Sequence, residues 1–297
     1  MTMEVSAHYR TLWDTQVRLR FQSRGNMLAG TVMPPVRISG EKMYFLRSGK
    51  LGSTQWGGRG HAVQRQSSTD DKVEITSNEW DTAYELYDQD KWKGVPAEEQ
   101  TRQMQASNAL GTRIDRIIYA AVMAQSLPSD QIIGDYSTGL TPYMLKQAEA
   151  KLLQKYTPND AGLYVPVPPW QYGRLETFKI FSSADWIGGD LPLIKRTKRR
   201  TYGSLNCFMF EQIHADDYTS GTQLRFRAWH RECVGAGHIA PEQMRHEWQR
   251  EAEYKRWLVM HTLDGGAVVI EPDGIVEFRV KADAAIEDEV QRTLAVA

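Results

Sequence analysis

The feature that most constrains this chain is an extended, glycine-rich segment, residues 40–87, that leads directly into one long amphipathic helix. Residues 41–47 and 72–76 have the composition and alternation of strands. Between them, residues 51–60 are polar and contain four of the chain's 23 glycines, which is typical of a loop tip. An arm of this kind buries little apolar surface of its own, so we expect it to pack against something outside itself.

The helix after the arm is predicted by apolar residues that recur on one face at 3.6 residues per turn. These residues are Leu110, Ile114, Ile117, Ile118, Ala121 and Val122. Pro96 suits a first helical turn and Pro128 disfavours helical geometry before it, so we predict a helix over about residues 96–127. It would span about 30 residues and about 45 Å, which is typical of a spine. We expect its apolar face to pack on a sheet that combines residues 72–76 with part of the C-terminal third.

Composition and charge exclude several classes of protein. With 297 residues and 41% hydrophobic content the chain can bury one large or two modest cores. The net charge of −1 argues against a dedicated nucleic-acid binder, so any DNA contact should be local or weak. No apolar run suits a membrane span or a signal peptide, which predicts a soluble protein made in a reducing compartment. The two cysteines, Cys207 and Cys233, are expected to be buried small side chains.

Two glycine-containing stretches could suggest phosphate binding, and both fail. A phosphate-binding loop needs Ser or Thr directly after the Lys of Ser48-Gly49-Lys50, and a Gly five residues before Gly49. The chain has Leu51 and Tyr44 at these two positions. Residues 57–61 follow no hydrophobic strand and precede no helix, so a flexible loop tip is the preferred interpretation.

Metal and acid–base chemistry also lack a motif. His230, Cys233 and His238 are potential zinc ligands, but no fourth ligand is evident nearby, and core packing is preferred. Paired acids at 70–71 and 216–217 fall in probable turns. These residues therefore contain no recognisable catalytic or metal-binding motif.

One run of charge stands out. Five basic side chains occur within six residues, namely Lys195, Arg196, Lys198, Arg199 and Arg200. The run could face packaged nucleic acid or steer an acidic partner strand. A solvated loop that balances acidic patches on a neighbouring subunit is preferred.

The remaining chain alternates helices and strands. A second helix is predicted to open at Thr141 as N-cap with Pro142 in its first position and Leu145, Ala148 and Leu152 inward. Further elements are strands at 163–167, 204–213, 223–229, 267–270 and 275–280, and a brief helix at 170–178. The turn at 271–274 has Pro second and Gly fourth, which predicts that the last two strands form a hairpin.

This order of parts resembles the major capsid proteins of tailed bacteriophages, which have the Hong Kong 97-type fold. The stretches that carry the resemblance are GNMLAGTV at 25–32, RIDRII at 113–118, LTP at 140–142, FSSADW at 181–186 and GGAVVIEPDGIV at 265–276. Together they run over most of the chain, and none is diagnostic alone.

The resemblance implies an α+β fold and a division into five parts. These are an N-terminal arm (1–39), an extended β-hairpin loop or E-loop (40–87), a peripheral domain with the spine helix (88–135), an axial domain (136–240) and a return to the peripheral domain (241–297). It implies a homo-oligomer of hexamers and pentamers that forms an icosahedral shell, with the loop overlapping a neighbour. It also implies a structural protein and not an enzyme, with no catalytic residue, no cofactor-binding residue and no metal ligand. The candidates for that inter-subunit contact are Leu51, Trp56 and Arg59.

The implied partners are the chain itself, a portal, separate scaffold or decoration proteins, and packaged double-stranded DNA by weak, non-specific contact, with no membrane. The implied location is the virion, after synthesis in the bacterial cytoplasm. Some relatives crosslink a loop lysine to a neighbour's asparagine. Here Lys42, Lys50 and Lys72 are equal alternatives and no partner Asn is identifiable, so crosslinking is not carried over. The alternative functions are an α/β enzyme of unknown substrate and an encapsulin-type cellular shell protein.

Overall fold

The computed structural model describes residues 25–34, 42–49, 70–88, 97–155, 157–158, 162–178, 199–211, 218–237 and 245–284. These residues contain three α-helices and 13 strands, in a mixed α+β arrangement. None of the helices among them is long and apolar enough to cross a membrane.

The spine helix, α1, runs over Ala97–Ala124, which confirms the predicted long helix and ends it three residues earlier than residue 127. Its predicted apolar face is inside: Ile114 and Ile118 are fully buried, and Ile117 is partly buried against the same cluster. The helix packs mainly on the long strand β12 (Arg256–Val269), and also on β3 (Asn78–Tyr87).

The extended loop begins as an antiparallel pair of strands, β1 (Lys42–Ser48) and β2 (Asp70–Thr76), which confirms the predicted hairpin arms. On one face Phe45 and Ile75 form a small apolar cluster with Val268 and Ile270 from the far end of the chain. The pair is therefore attached to its own subunit by this face.

A four-stranded antiparallel sheet lies under the spine helix. Its centre is β12, which pairs with β3, with β11 (Arg245–Glu251) and with β10 (Val234–Gly237). We predicted that residues 72–76 would share a sheet with strands of the C-terminal third, and this prediction is wrong. Residues 70–76 pair with β1, and the next strand, β3, pairs with β12 over ten positions.

A second, seven-stranded sheet is built around β9 (Gln223–His230) and β13 (Ile275–Lys281). The order of its main path is β4 (Ile132–Ile133), β13, β9, β5 (Leu163–Val167), β7 (Leu205–Met209) and β6 (Arg199–Tyr202), and β8 (Tyr218–Ser220) pairs beside β9. Helices α2 (Pro142–Gln154) and α3 (Pro169–Glu176) contribute to the core on one face of this sheet.

The second helix begins as predicted, since the Thr141 side chain accepts a hydrogen bond from the backbone N–H of Met144 and Pro142 occupies the first turn. Leu145, Ala148 and Leu152 are fully buried in the sheet core. The N-cap residue and the following proline therefore predicted the start of this helix correctly.

The predicted hairpin at 267–280 is wrong. Residues 272–274 do form a tight turn, but over the described residues β12 and β13 pair with other strands and not with each other. The turn instead passes the chain from the four-stranded sheet to the seven-stranded sheet. As a result β13 shares a sheet with strands between 132 and 230, although the sequence-based division placed residues 241–297 with the peripheral domain.

Candidate assembly site

The outer face of the β1–β2 pair is an apolar surface that none of the described residues covers. Leu46 is 73% exposed and Tyr44 is 51% exposed, whereas Phe45 between them is buried. The residues directly across the pair from them, Lys72 and Glu74, are exposed and charged. Two large apolar side chains thus stand in water within a polar border, which is typical of a protein contact.

The local sequence explains this arrangement. Residues 43–46 are four consecutive apolar residues, and successive side chains of a strand point to opposite faces. Both faces of β1 are therefore apolar, as in strands that are covered on both sides. Within the described ranges, the face that carries Phe45 is covered and the opposite face is exposed.

The inner face is fitted closely to its own chain. A Cβ placed on Gly235 would lie 2.6 Å from the Phe45 ring, so glycine is required there for the hairpin to seat on β10. Two salt bridges, between Lys42 and Glu74 at 2.6 Å and between Arg47 and Asp71 at 3.3 Å, tie the two strands together. Arg47 Nη1 also donates to the Ile270 carbonyl at 3.5 Å, on the face that carries Phe45. These contacts fix the orientation of the described strands on their own subunit.

The three predicted contact residues, Leu51, Trp56 and Arg59, lie between β1 and β2 and outside the described residues. Lys195, Arg196 and Lys198 of the basic run also lie outside them. Arg199 and Arg200 are in β6, the terminal strand of the main path of the seven-stranded sheet, opposite Phe208 and Cys207 of β7. The structure thus brings the end of the basic run to a sheet edge.

Sequence reasoning missed Tyr44 and Leu46 as contact residues, although the four-residue apolar run was a usable signal. It also missed two further exposed aromatic side chains, Trp248 (46% exposed) in β11 and Tyr254 (59% exposed) in the turn that joins β11 to β12. The Arg256 guanidinium lies 4.8 Å from the centre of the Tyr254 ring. Trp, Tyr and Arg are the residues enriched at interface hot spots.

A buried carboxylate attaches the N-terminal segment to the spine helix. Asp115, fully buried in α1, accepts hydrogen bonds from the backbone N–H groups of Met27 (3.0 Å) and Leu28 (2.8 Å). On the other side, the carbonyl of Thr31 accepts a hydrogen bond from the Trp229 indole at 3.0 Å. Two of the stretches that carried the resemblance, 25–32 and 113–118, are therefore in direct contact.

Close backbone packing completes this attachment. Gly25 has φ +65°, and a Cβ placed on it would lie 2.1 Å from the carbonyl carbon of Gly111. The N–H of Asn26 donates to the carbonyl of Gly111 at 3.0 Å. A side chain at position 25 would separate the segment from the helix.

A buried ionic group joins the C-terminal end of the spine helix to the seven-stranded sheet. Arg227 of β9 donates to Oε2 of Glu277 on β13 from Nε (3.0 Å) and Nη2 (2.7 Å). Its Nη1 donates to the carbonyls of Val122 and Gln125, each at 2.6 Å. A positive charge at the negative end of a helix dipole is stabilising, so Arg227 acts as a C-terminal cap supplied by the other sheet.

The charge of Glu277 is balanced from two sides. Burial by itself raises the pKa of this carboxyl, but hydrogen bonds from Arg279 (2.8 Å, to Oε1) and Arg227 outweigh it and hold the pKa below the ordinary value. Glu277 is therefore ionised at neutral pH. The group therefore fixes the C-terminal end of the spine helix to the seven-stranded sheet.

Nothing in the described part of the chain resembles a catalytic or metal centre. Burial raises the pKa of the Cys207 and Cys233 thiols to about 12, so both are inert at neutral pH. His230 accepts a hydrogen bond from the N–H of Glu232 through Nδ1. Within the described ranges no group of three or more His, Cys, Asp or Glu side chains is placed to hold a metal ion.

A spine helix packed between two sheets, with the β1–β2 pair beside them, is the arrangement of the Hong Kong 97-type capsid fold. The model of the family described as phage capsid protein matches residues 5–282, which is nearly the whole chain. The chain belongs to the phage capsid protein family, and its place is the virion.

Solved phage capsid structures share the fold. The capsid of Ralstonia phage GP4 has a TM-score of 0.69 with 11% identity, covering 92% of this chain and 95% of that chain. The structure from Mycobacterium phage Che8 has a TM-score of 0.67 with 17% identity, covering 90% of this chain and 96% of that chain. The capsid of the cyanophage P-SCSP1u has a TM-score of 0.67 with 14% identity, covering 89% of this chain and 90% of that chain. No curated protein matches the chain by sequence.

Proposed function

We propose that this capsid protein is the major subunit of a tailed phage or prophage head, in which it assembles as hexamers and pentamers into an icosahedral shell around double-stranded DNA. The observation that carries the proposal is the outer face of the β1–β2 pair, where Tyr44 and Leu46 are exposed on a strand built to be covered on both sides. Family membership and the shared fold support it.

The loop is proposed to overlap the neighbouring subunit. The described strands of the loop end at Ser48 and resume at Asp70, and the 21 residues from 49 to 69 connect them. Trp56 is the proposed anchor of this extension, with Leu51 and Arg59 beside it in sequence, because buried Trp and Arg carry much of the energy of protein interfaces. Tyr44 and Leu46 would form the base of the same contact.

The domain division follows from the same proposal. The four-stranded sheet with α1 forms the peripheral domain, and the seven-stranded sheet with α2 and α3 forms the axial domain. Sheet membership supports assigning β13 to the axial domain. The Arg227–Glu277 group would then be the joint between the two domains.

The remaining partners are proposals from the family. The shell would include a portal, with separate scaffold or decoration proteins, and would contact DNA weakly and non-specifically. The net charge of −1 supports a weak contact, and residues 195–200 are the one strongly basic run that could supply it. The chain would act as a structural protein without catalysis.

Substitution of the outer face tests the assembly role. We expect the double variant Tyr44→Ser and Leu46→Ser to remain folded with nearly unchanged thermal unfolding, because neither side chain packs in the core, but to lose shells and capsomers in electron micrographs. The control is Lys72→Ser, which changes an exposed residue on the same face without removing apolar surface and should still assemble. Normal shells from the Tyr44/Leu46 variant would overturn the assigned contact.

Replacement of residues 48–68 with a short Gly-Ser linker tests the loop extension. The expected result is a folded protein that no longer closes into shells. A Trp56→Ser variant should weaken assembly in the same direction. Shell formation by the linker variant would refute the loop proposal, and failure to fold would show that the segment belongs to its own chain's core.

A further inference from the structure

One face of the seven-stranded sheet carries excess positive charge where it passes the end of the spine helix. Leu224 and Phe226 of β9 lie in the core beside α2 and α3. Because side chains alternate along a strand, Arg225 and Arg227 lie on the opposite face. Trp229 packs with the spine helix and Arg227 binds carbonyls at its C-terminal end, so Arg225, two positions further out, lies beyond the helix.

Two arginines oppose each other across the β9–β13 pair at this place. Arg225 is directly opposite Arg279 in the register of the two strands. Like charges directly opposite each other destabilise a sheet unless something compensates them. Glu277 is the only acidic residue in the strands β9 and β13, and it is already bound by Arg227 and Arg279. Three guanidinium groups of these two strands thus share one carboxylate.

The side chain of Arg225 is half-buried on this face. Its Nε atom is buried, and no residue in the described part of the chain accepts a hydrogen bond from it. A buried N–H without an acceptor is unfavourable, and more so when the group is charged. An anion at this place would accept that hydrogen bond and would offset the charge that faces Arg279. The arrangement therefore fits a bound anion.

Arg279 is held in position from its other side. The centre of the Tyr136 ring lies 5.8 Å from Arg279 Cζ. Tyr136 has a left-handed backbone with φ +67°, and its N–H donates to the Arg279 carbonyl at 3.4 Å. A Cβ placed on Gly134 would lie 2.2 Å from the same carbonyl oxygen, so the backbone before Tyr136 lies directly against β13. A guanidinium that is ordered before binding loses less entropy when it binds a ligand.

Lys281 extends the positive charge along β13. It lies two residues beyond Arg279 on the same face, about 7 Å further along the strand. The side chains of Arg279 and Lys281 are 36% and 45% exposed, so a ligand can reach them. Arginine binds phosphate oxygens through paired N–H donors, and Arg and Lys contact the phosphates of nucleic acids. A row of cations fits successive phosphates of a backbone better than it fits one carboxylate.

We propose that Arg225 and Arg279, bordered by Lys281, form a phosphate-binding site that contacts the backbone of the enclosed DNA. The site rests on the proposed function, since its phosphate comes from DNA inside the shell. Arg225 supplies the buried N–H, and Arg279 supplies the guanidinium opposite it. Contacts to phosphates carry no sequence information, so the site does not discriminate between DNA sequences. A local site of this kind agrees with a chain whose net charge is only −1.

Binding of a labelled short DNA duplex to the unassembled subunit, measured by fluorescence anisotropy over a series of salt concentrations, tests the contact. Loss of one phosphate contact lowers the slope of log affinity against log salt by about 0.9. We expect this change, with severalfold weaker binding, in Arg225→Gln. The matched control is Arg250→Gln, which removes the same charge from a side chain that is 60% exposed on β11 and should change neither quantity. An unchanged slope in Arg225→Gln, or an equal change in the control, would overturn the proposal.

Thermal unfolding checks the fold of the variant and separates the sources of the phosphate. Arg225→Gln removes a charge that faces Arg279, so it should unfold at the wild-type temperature or slightly above it. Inorganic phosphate, compared with chloride at equal ionic strength, should raise the unfolding temperature of the wild type more than that of Arg225→Gln. Equal rises in the two proteins would overturn the phosphate site. A larger rise in the wild type without a difference in salt slope would show a site for free phosphate, and would overturn the assignment to DNA.

Electron microscopy distinguishes this site from the proposed function. The duplex measurements use unassembled subunits, so a wild type that forms no shells would refute the proposed function without changing them. Arg225→Gln should form normal shells. Loss of shells in Arg225→Gln with unchanged duplex affinity would show that Arg225 binds an acidic side chain of a second copy, and would overturn the DNA contact.

Discussion

The buried Arg227 guanidinium supports the sharpest prediction. Replacing it with Met keeps most of the side-chain volume but removes two hydrogen bonds to Glu277 and two to the carbonyls of Val122 and Gln125. We expect the subunit to be destabilised and the C-terminal turn of the spine helix to loosen first.

The magnitude follows from the surroundings of Glu277. Breaking a buried ion pair by removing one partner costs about 3–5 kcal/mol. Arg279 still holds Oε1 of Glu277 at 2.8 Å, so the carboxylate keeps one cation and the cost should lie near the lower limit, about 3 kcal/mol. The double variant Arg227→Met and Glu277→Met leaves no buried carboxylate, and it should lose only about 1–2 kcal/mol for the two uncapped carbonyls.

Urea unfolding of the unassembled subunit, followed by circular dichroism, measures the global change, and hydrogen exchange of residues 119–125 measures the local one. The signature of the proposed joint is that the single variant is less stable than the double. A loss below about 0.5 kcal/mol in the single variant, with unchanged exchange at the helix end, would refute the reasoning, because changes of that size are typical of surface sites.

Three further predictions address the helix face, the carboxylate and the basic run. Ile118→Ala, at a fully buried site, should cost about 2–5 kcal/mol in urea unfolding, whereas Ile117→Ala, at a partly buried site, should cost less; equal losses would contradict the assigned face. Because the folded pKa of Glu277 is lowered, its contribution is fully present above the unfolded value near about 4.3 and is lost as the pH falls through the folded pKa. The free energy of unfolding should therefore fall less steeply between pH 6 and pH 3 in Glu277→Gln than in the wild type. Equal slopes in the two proteins would show that Glu277 contributes nothing to the pH dependence of stability. Replacing the five basic residues of 195–200 with Gln should leave shells intact but weaken DNA retention in a salt-dependent way, and unchanged packaging would return the run to a solvated loop.

Local patterns predicted much of the fold. The spine helix, the Thr141 cap and β5 lie where periodicity and capping residues place them. Helical periodicity and capping depend on residues only a few positions apart, so the sequence predicts them directly. The strands of the extended loop were also predicted, because their alternation and their turn-rich connection are local.

The candidate site was predicted less completely. Loop residues such as Trp56 were predicted from composition. The exposure of Tyr44 and Leu46, in contrast, follows from the tertiary structure, in which Phe45 occupies the inner face. An apolar run shows that both faces of a strand are to be covered. It does not show which face the subunit covers itself.

The sequence by itself determined where the helices and most strands form, including the two strands of the extended loop. Only the tertiary structure decided that β3 pairs with β12, that β13 leaves β12 for β9, and that Asp115 and Arg227 bind partners 87 to 105 residues away. Strand pairing and buried polar contacts depend on groups that meet only after the chain has folded. Their energies are set by burial and mutual geometry, which spacing along a single sequence does not contain.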